Sequence, residues 1–212
     1  LTEWLDPSVR DESRPFDRDN DLNLYGPLAP KPPYEAAYLE RFRAAQIDRN
    51  RRITAWVKAE LAALRAAGRP NEERCFTVQG TMADPRFLDP AVDPSDRRPN
   101  WSYLGDPQLV NDGPVGLARF TTLRSWLSQW SYDDSHAHGL RCAARLTVPL
   151  LVIENSADDA CTPSHAARLM AAATNAPTTH HVVRGANHYY FGQPELAAEA
   201  ASKARAWIEA LG

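Results

Sequence analysis

Two polar loops in the last third of the chain hold the residues best suited to chemistry. The first, Glu154-Asn155-Ser156-Ala157-Asp158-Asp159, ends in adjacent carboxylates, and the second, Arg184-Gly185-Ala186-Asn187-His188, ends in an imidazole. An aspartate and a histidine placed just past the ends of strands suit two members of a nucleophile-base-acid relay. A serine hydroxyl is a weak nucleophile until an imidazole takes its proton, and a carboxylate must hold that imidazole in one tautomer. The third member is missing from the pattern. No Gly-x-Ser-x-Gly turn occurs, and Ser125, Ser128 and Ser156 stand in no comparable context.

The elements around these loops alternate. Val148 to Ile153 is a short apolar run rich in β-branched residues, which predicts a buried strand. Thr162-Pro163 opens a helix, with Thr162 as the expected N-cap and Ala166 to Ala173 supplying strong helix formers. Asn175-Ala176-Pro177 stops that helix. Thr178 to Val183 predicts the next strand, and Pro194 to Leu211 a closing amphipathic helix. This β-α-β-α order implies parallel strands with helical crossovers.

The segments Asn155-Ser156-Ala157-Asp158 and Gly185-Ala186-Asn187-His188, at that separation and between those elements, resemble the closing section of an α/β-hydrolase. In that family the acid follows the penultimate core strand and the histidine the last one. Carried over by position, the resemblance implies Asp158 as the acid and His188 as the base. Asp159 is the rival acid, though its side chain should point away from that of Asp158 in an extended loop. Asn155 stands where the family commonly has Gly, and its tolerance of positive φ would preserve the turn. Asn187 stands where the family has Gly before the histidine. A longer likeness, from Thr2-Glu3-Trp4-Leu5-Asp6-Pro7 through Thr122-Leu123-Arg124-Ser125-Trp126-Leu127-Ser128, is to uncharacterised bacterial α/β-hydrolases and implies no substrate.

The resemblance implies an α/β fold: residues 147–212 would be the C-terminal part of the core, a parallel sheet flanked by helices, and residues 1–146 a large, mainly helical cap with its connection. The implied activity is hydrolysis of an ester or related acyl bond by a Ser-His-Asp mechanism, without a cofactor. Because the nucleophile and the oxyanion hole come from earlier sections of that fold, this chain is expected to belong to a longer protein and to be inactive alone. Leu1 to Pro7 would then leave the strand after the nucleophile helix, with Asp6 as a minor candidate acid. Two alternatives stand beside this reading: dehalogenase or epoxide-hydrolase chemistry on the same scaffold, and a non-catalytic ligand-binding or interaction protein. A nicotinamide-binding domain lacks its G-x-G-x-x-G.

Upstream, Asp6 to Pro33 is rich in Pro, Asp, Arg and Asn, which predicts irregular backbone. Tyr34 to Ala67 carries Leu39, Phe42, Ile53, Trp56, Val57, Leu61 and Leu64 among charges and ends at Gly68, predicting one long amphipathic helix or two joined at a bend. Cys75 to Val78 suits a short strand, and Asp84 to Asn100 is irregular, with a turn at Asp93-Pro94-Ser95-Asp96. Gly116 to Ser131 places Leu117, Phe120, Leu123, Leu127 and Trp130 near one side of a helix. Trp126, Trp130 and Tyr189 are the candidate substrate-contacting residues, for a small molecule with an acyl or aromatic portion; ordinary packing is the competing role for the two tryptophans.

Composition sets the outer bounds. The 212 residues are 43% hydrophobic with a net charge of -3, which suits a globular chain with no strongly charged partner. No basic run with interleaved aromatics points to nucleic acid, and no stretch approaches a membrane span, so a cytoplasmic setting is expected. The three cysteines, Cys75, Cys142 and Cys161, are widely spaced, which argues against a disulfide framework or structural zinc. His136-x-His138 and His180-His181 lack partners at a recognised ligand spacing, so no metal is expected. A cysteine hydrolase using Cys161 is a remote option, a small packing residue being the commoner role at a helix start.

Overall fold

The computed structural model describes residues 20–212. Asp6, the Leu1 to Pro7 segment and the first part of the Asp/Pro-rich stretch lie outside the described residues. The chain forms two compact units, one of residues 20–85 and 107–137, the other of residues 86–106 and 138–212. Residues 86–106 fold with the C-terminal segment. Among the described residues, no helix is long and apolar enough to cross a membrane.

The first unit is organised by helix α1, Ala36–Ala66, a single uninterrupted helix. It ends as glycine allows: Gly68 takes φ +71°, its N–H bonds to the Arg65 carbonyl, and the Arg69 N–H reaches back to the Leu64 carbonyl. These two bonds satisfy carbonyls that a helix end leaves open. The buried stripe of α1, including Ile53, Val57 and Leu64, packs on Phe76, Val78, Leu123 and Trp126. Strand β1, Cys75–Thr77, pairs antiparallel with β2, Phe120–Thr122, with Cys75 opposite Thr122.

The single helix expected between Gly116 and Ser131 is not formed. Phe120–Thr122 is taken by the ladder with β1, where β-branched Thr121 and Thr122 fit well. Thr122 then caps a helical turn, Leu123–Ser125, by accepting the Ser125 N–H at 3.2 Å. A π-helical turn, Trp126–Trp130, follows and closes with the Ser131 N–H on the Trp126 carbonyl at 2.8 Å. A buried guanidinium orders the neighbouring loops: Arg119, 4% exposed, donates to the carbonyls of Val78, Val110, Asn111 and Val115 and to Gln79 Oε1.

Pro85–Leu88, a short helix, carries the chain into the second unit. There β3, Leu150–Asn155, and β4, Thr178–Val183, form a two-stranded parallel sheet in which Leu150 faces Thr178 and Asn155 faces Val183. Helix α2, Pro163–Ala172, is the crossover, and α3, Pro194–Glu209, follows β4. Val183, Ala186 and Ala200 form a small core with Ile153, Tyr190 and Leu196. The predicted strands and helices here lie within two residues of those observed.

The irregular segment 89–97 is held by a second buried arginine. Arg97, 4% exposed, donates to the carbonyls of Arg86, Asp89, Val92 and Asp93 and to Ser95 Oγ. One consequence lies at α2. Thr162 occupies the N-cap position, but its hydroxyl makes no cap bond and instead accepts from Arg86 at 3.1 Å. The cap comes from Asp93, whose carboxylate accepts the Ser164 N–H at 3.1 Å and the Ser164 hydroxyl at 2.5 Å.

Desolvation raises the Asp93 pKa, but hydrogen bonds from Ser164 and Thr162 outweigh it, and the net effect is a value below the ordinary 3.8. A depressed folded-state value makes the contribution full above 3.8 and lost as pH falls through the lower folded value. Asp93→Ala is therefore expected to cost about 1 kcal/mol at neutral pH. In urea titrations its deficit should shrink in acid as the ionisation-linked part is lost; a deficit that persists unchanged at the acid end would refute the carboxylate cap.

Candidate functional site

The parallel ladder places the loops after β3 and β4 side by side. Because β3 and β4 run in the same direction, residues that follow Asn155 and Val183 leave the sheet at one edge. Several bonds then fasten the two loops. The Ser156 N–H donates to the Val183 carbonyl at 3.1 Å, and the Ala157 N–H to the Ala186 carbonyl at 3.0 Å. Asn155 Nδ2 donates to the Asn187 carbonyl at 3.0 Å, and Asn155 Oδ1 accepts the Tyr190 hydroxyl at 2.7 Å. Asn155 does not adopt positive φ. It ends β3 in extended backbone, and its amide serves as a bridge between loops.

Those bonds bring Asp158 and His188 together. His188 Nδ1 lies 3.0 Å from Asp158 Oδ1 and 3.1 Å from Oδ2. Asp158 Oδ1 also accepts the N–H groups of Ala160 and Cys161, both at 2.7 Å. The Asp158 side chain is 9% exposed and that of His188 27%. An ionised carboxylate can only accept, so this contact puts the neutral imidazole proton on Nδ1 and leaves Nε2 with its lone pair. Nε2 makes no hydrogen bond among the described residues.

Asp159 is also buried, with Oδ1 lacking a hydrogen-bond partner among the described residues. Burial and the nearby Asp158 charge raise its pKa, against backbone donors that favour the ion. The imidazole contact is made by Asp158, the residue that the family resemblance implies as the acid. Ser156 is unsuited to act as a nucleophile, because its hydroxyl donates to Asp96 at 2.5 Å and accepts the Gly185 N–H at 2.8 Å. Gly185 needs its φ of +73° to make that turn.

The expected substrate-contacting residues belong to different units. Tyr189 lies beside His188, with ring centroids 4.6 Å apart, and is 61% exposed. Trp126 is 3% exposed in the first unit's core, where its indole N–H donates to Thr54 at 2.9 Å, and Trp130 packs against that same core. Of the other histidines, His180 Nε2 pairs with Glu154 at 2.9 Å across the sheet, and His138 Nδ1 accepts the Arg141 N–H in a helix cap.

Sequence reasoning missed Tyr103. It sits in a tight turn closed by reciprocal Ser102 and Gly105 backbone bonds, and its ring lies 5.3 Å from His188 and 6.2 Å from Tyr189. The signal was the apolar tract Trp101-Ser102-Tyr103-Leu104 inside an Asp/Pro-rich stretch, but nothing in the spacing places it beside residue 188. Burial, with the charges of Tyr189 and Cys161, pushes its phenol up to about 12. An ultraviolet tyrosinate titration should therefore contain a late transition that Tyr103→Phe removes; persistence of that transition in the variant would contradict the assignment.

Fold and site define a mixed α/β protein carrying an Asp-His pair, its aspartate buried and its histidine partly exposed, at the exit of parallel strands. In comparisons with known proteins, no family model, curated protein or solved structure matches this chain.

Proposed function

We propose that Asp158 and His188 are the acid and base of a Ser-His-Asp hydrolase of the α/β-hydrolase type, acting on an ester or related acyl bond, with the serine supplied from outside these 212 residues. The observation that carries this reading is the bond from His188 Nδ1 to the Asp158 carboxylate, made between loops that leave adjacent parallel strands. The two-stranded sheet also supports it: β3 has a ladder partner on one side only among the described residues, and further strands of such a fold would add at the other.

In the proposed reaction His188 Nε2 takes the serine proton as the hydroxyl oxygen attacks the acyl carbon. Asp158 stabilises the imidazolium that results. The imidazolium then returns the proton to the leaving alkoxide as the acyl-oxygen bond breaks, and a water molecule repeats the sequence to free the acid. The exposed face of Tyr189 and the ring of Tyr103 flank the imidazole and suit an acyl or aromatic portion of the substrate.

The test is p-nitrophenyl ester hydrolysis by the 212-residue chain and by the same chain joined to its upstream coding sequence. The short chain should give no burst of p-nitrophenol, and the longer one a burst that His188→Ala abolishes. A burst from the short chain, or an unchanged rate in the longer His188→Ala protein, would overturn the reading.

A further inference from the structure

The Asp158-His188 pair has a third neighbour that the hydrolytic reading leaves idle. Cys161 is exposed, and one ligand atom from each of Asp158, Cys161 and His188 falls within 4.8 Å of the other two. The three donor types are a carboxylate oxygen, an imidazole nitrogen and a thiol sulfur, the set that tetrahedral zinc takes. With zinc bonds to nitrogen and oxygen near 2.0–2.2 Å and to sulfur near 2.3 Å, tetrahedral ligand atoms stand about 3.3–3.6 Å apart. Asp158 and His188, now 3.0 Å apart, would have to part by a few tenths of an ångström, and the Cys161 side chain would have to close inward.

Cys161 follows Asp158 by one turn of chain, and its own N–H is already bonded to Asp158 Oδ1 at 2.7 Å. Asp159 adds a second buried carboxyl next to Asp158, and one of its oxygens has no hydrogen-bond partner among the described residues.

We propose that Asp158, Cys161 and His188 form a zinc site, with a fourth position left to solvent, and that zinc there competes with the acid-base role of the pair. Nothing in the spacing of these residues in sequence resembles a zinc motif; the juxtaposition is made by the two loops. The binding stands independently of the hydrolase reading, and only its inhibitory consequence rests on it. A metal held by Asp158 and His188 breaks the hydrogen bond that orients the imidazole, so proton transfer and metal binding exclude each other.

The experiment titrates the metal-free chain with Co2+ and then displaces the cobalt with Zn2+. One equivalent of Co2+ should give the visible bands of a tetrahedral site and a thiolate-to-cobalt charge-transfer band. Cys161→Ser should remove the charge-transfer band and weaken Zn2+ at least tenfold, and His188→Ala should weaken it as much. Cys75→Ser and Cys142→Ser should leave both readouts unchanged. Absence of the charge-transfer band, its survival in Cys161→Ser, or Zn2+ affinity indifferent to His188→Ala would overturn the site. Because these readouts need no nucleophile, their failure leaves the ester assay untouched, and failure of the ester assay leaves them standing. In an active longer protein, zinc should inhibit at least tenfold less strongly once Cys161 is serine.

Discussion

Replacing Asp158 by asparagine is expected to lower kcat/KM for an ester by about ten-thousand-fold in a protein that carries the nucleophile, while changing the fold little. The two side chains are nearly the same size, but the amide offers an N–H where the carboxylate offers only lone pairs. Turned toward His188, that N–H makes Nδ1 the acceptor and moves the imidazole proton to Nε2, the atom that must take the serine proton. The buried Asp158 also loses its capacity to stabilise an imidazolium. The tautomer can be read on the 212-residue chain itself by nitrogen NMR of His188. The wild-type chain should show the proton on Nδ1 and the variant should show it on Nε2. A variant that keeps the proton on Nδ1, or that loses less than tenfold in rate, would remove Asp158 from the orienting role.

Arg97→Ala should be the most damaging single change to the second unit, at about 4 kcal/mol. Removing the guanidinium takes its donors from the carbonyls of Arg86, Val92 and Asp93 and leaves the Asp89 carbonyl only the Val92 N–H. Arg97→Lys should recover less than half of the loss, because an ammonium has three donors at one point and cannot span the fork. The effect should extend to the site. Asp93 and Asp96, on either side of this loop's end, cap α2 and hold the Ser156 hydroxyl, and the Asp96 N–H bonds to the Ser156 carbonyl at 2.8 Å. Urea denaturation should give the stability loss, and the His188 ring signals should broaden well below the unfolding midpoint. A variant with wild-type midpoint and sharp His188 signals would show that the loop is held by something else.

Much of the second unit was legible because its signals are local. The β-branched run ending near Ile153, Pro163 at a helix start, and Pro177 after a helix each act on the backbone within a few residues, so their elements appear where predicted. The long helix ending at Gly68 was legible for the same reason, since a stripe of apolar residues and a glycine in the left-handed region are both short-range devices. The stretch from Gly116 to Ser131 misled because its helical spacing was real, yet pairing of Phe120–Thr122 with Cys75–Thr77 won over it.

The sequence by itself determined that an aspartate and a histidine stand just past the ends of two strands. Only the tertiary structure decided that Tyr103 and Cys161 join them, that Asp93 rather than Thr162 caps the crossover helix, and that residues 86–106 belong with the C-terminal unit. The physical reason is range. Strand exits and helix starts are fixed by neighbours along the chain, whereas the cage around Arg97 and the cap from Asp93 join groups that no spacing rule connects, and they form only once the loops have closed.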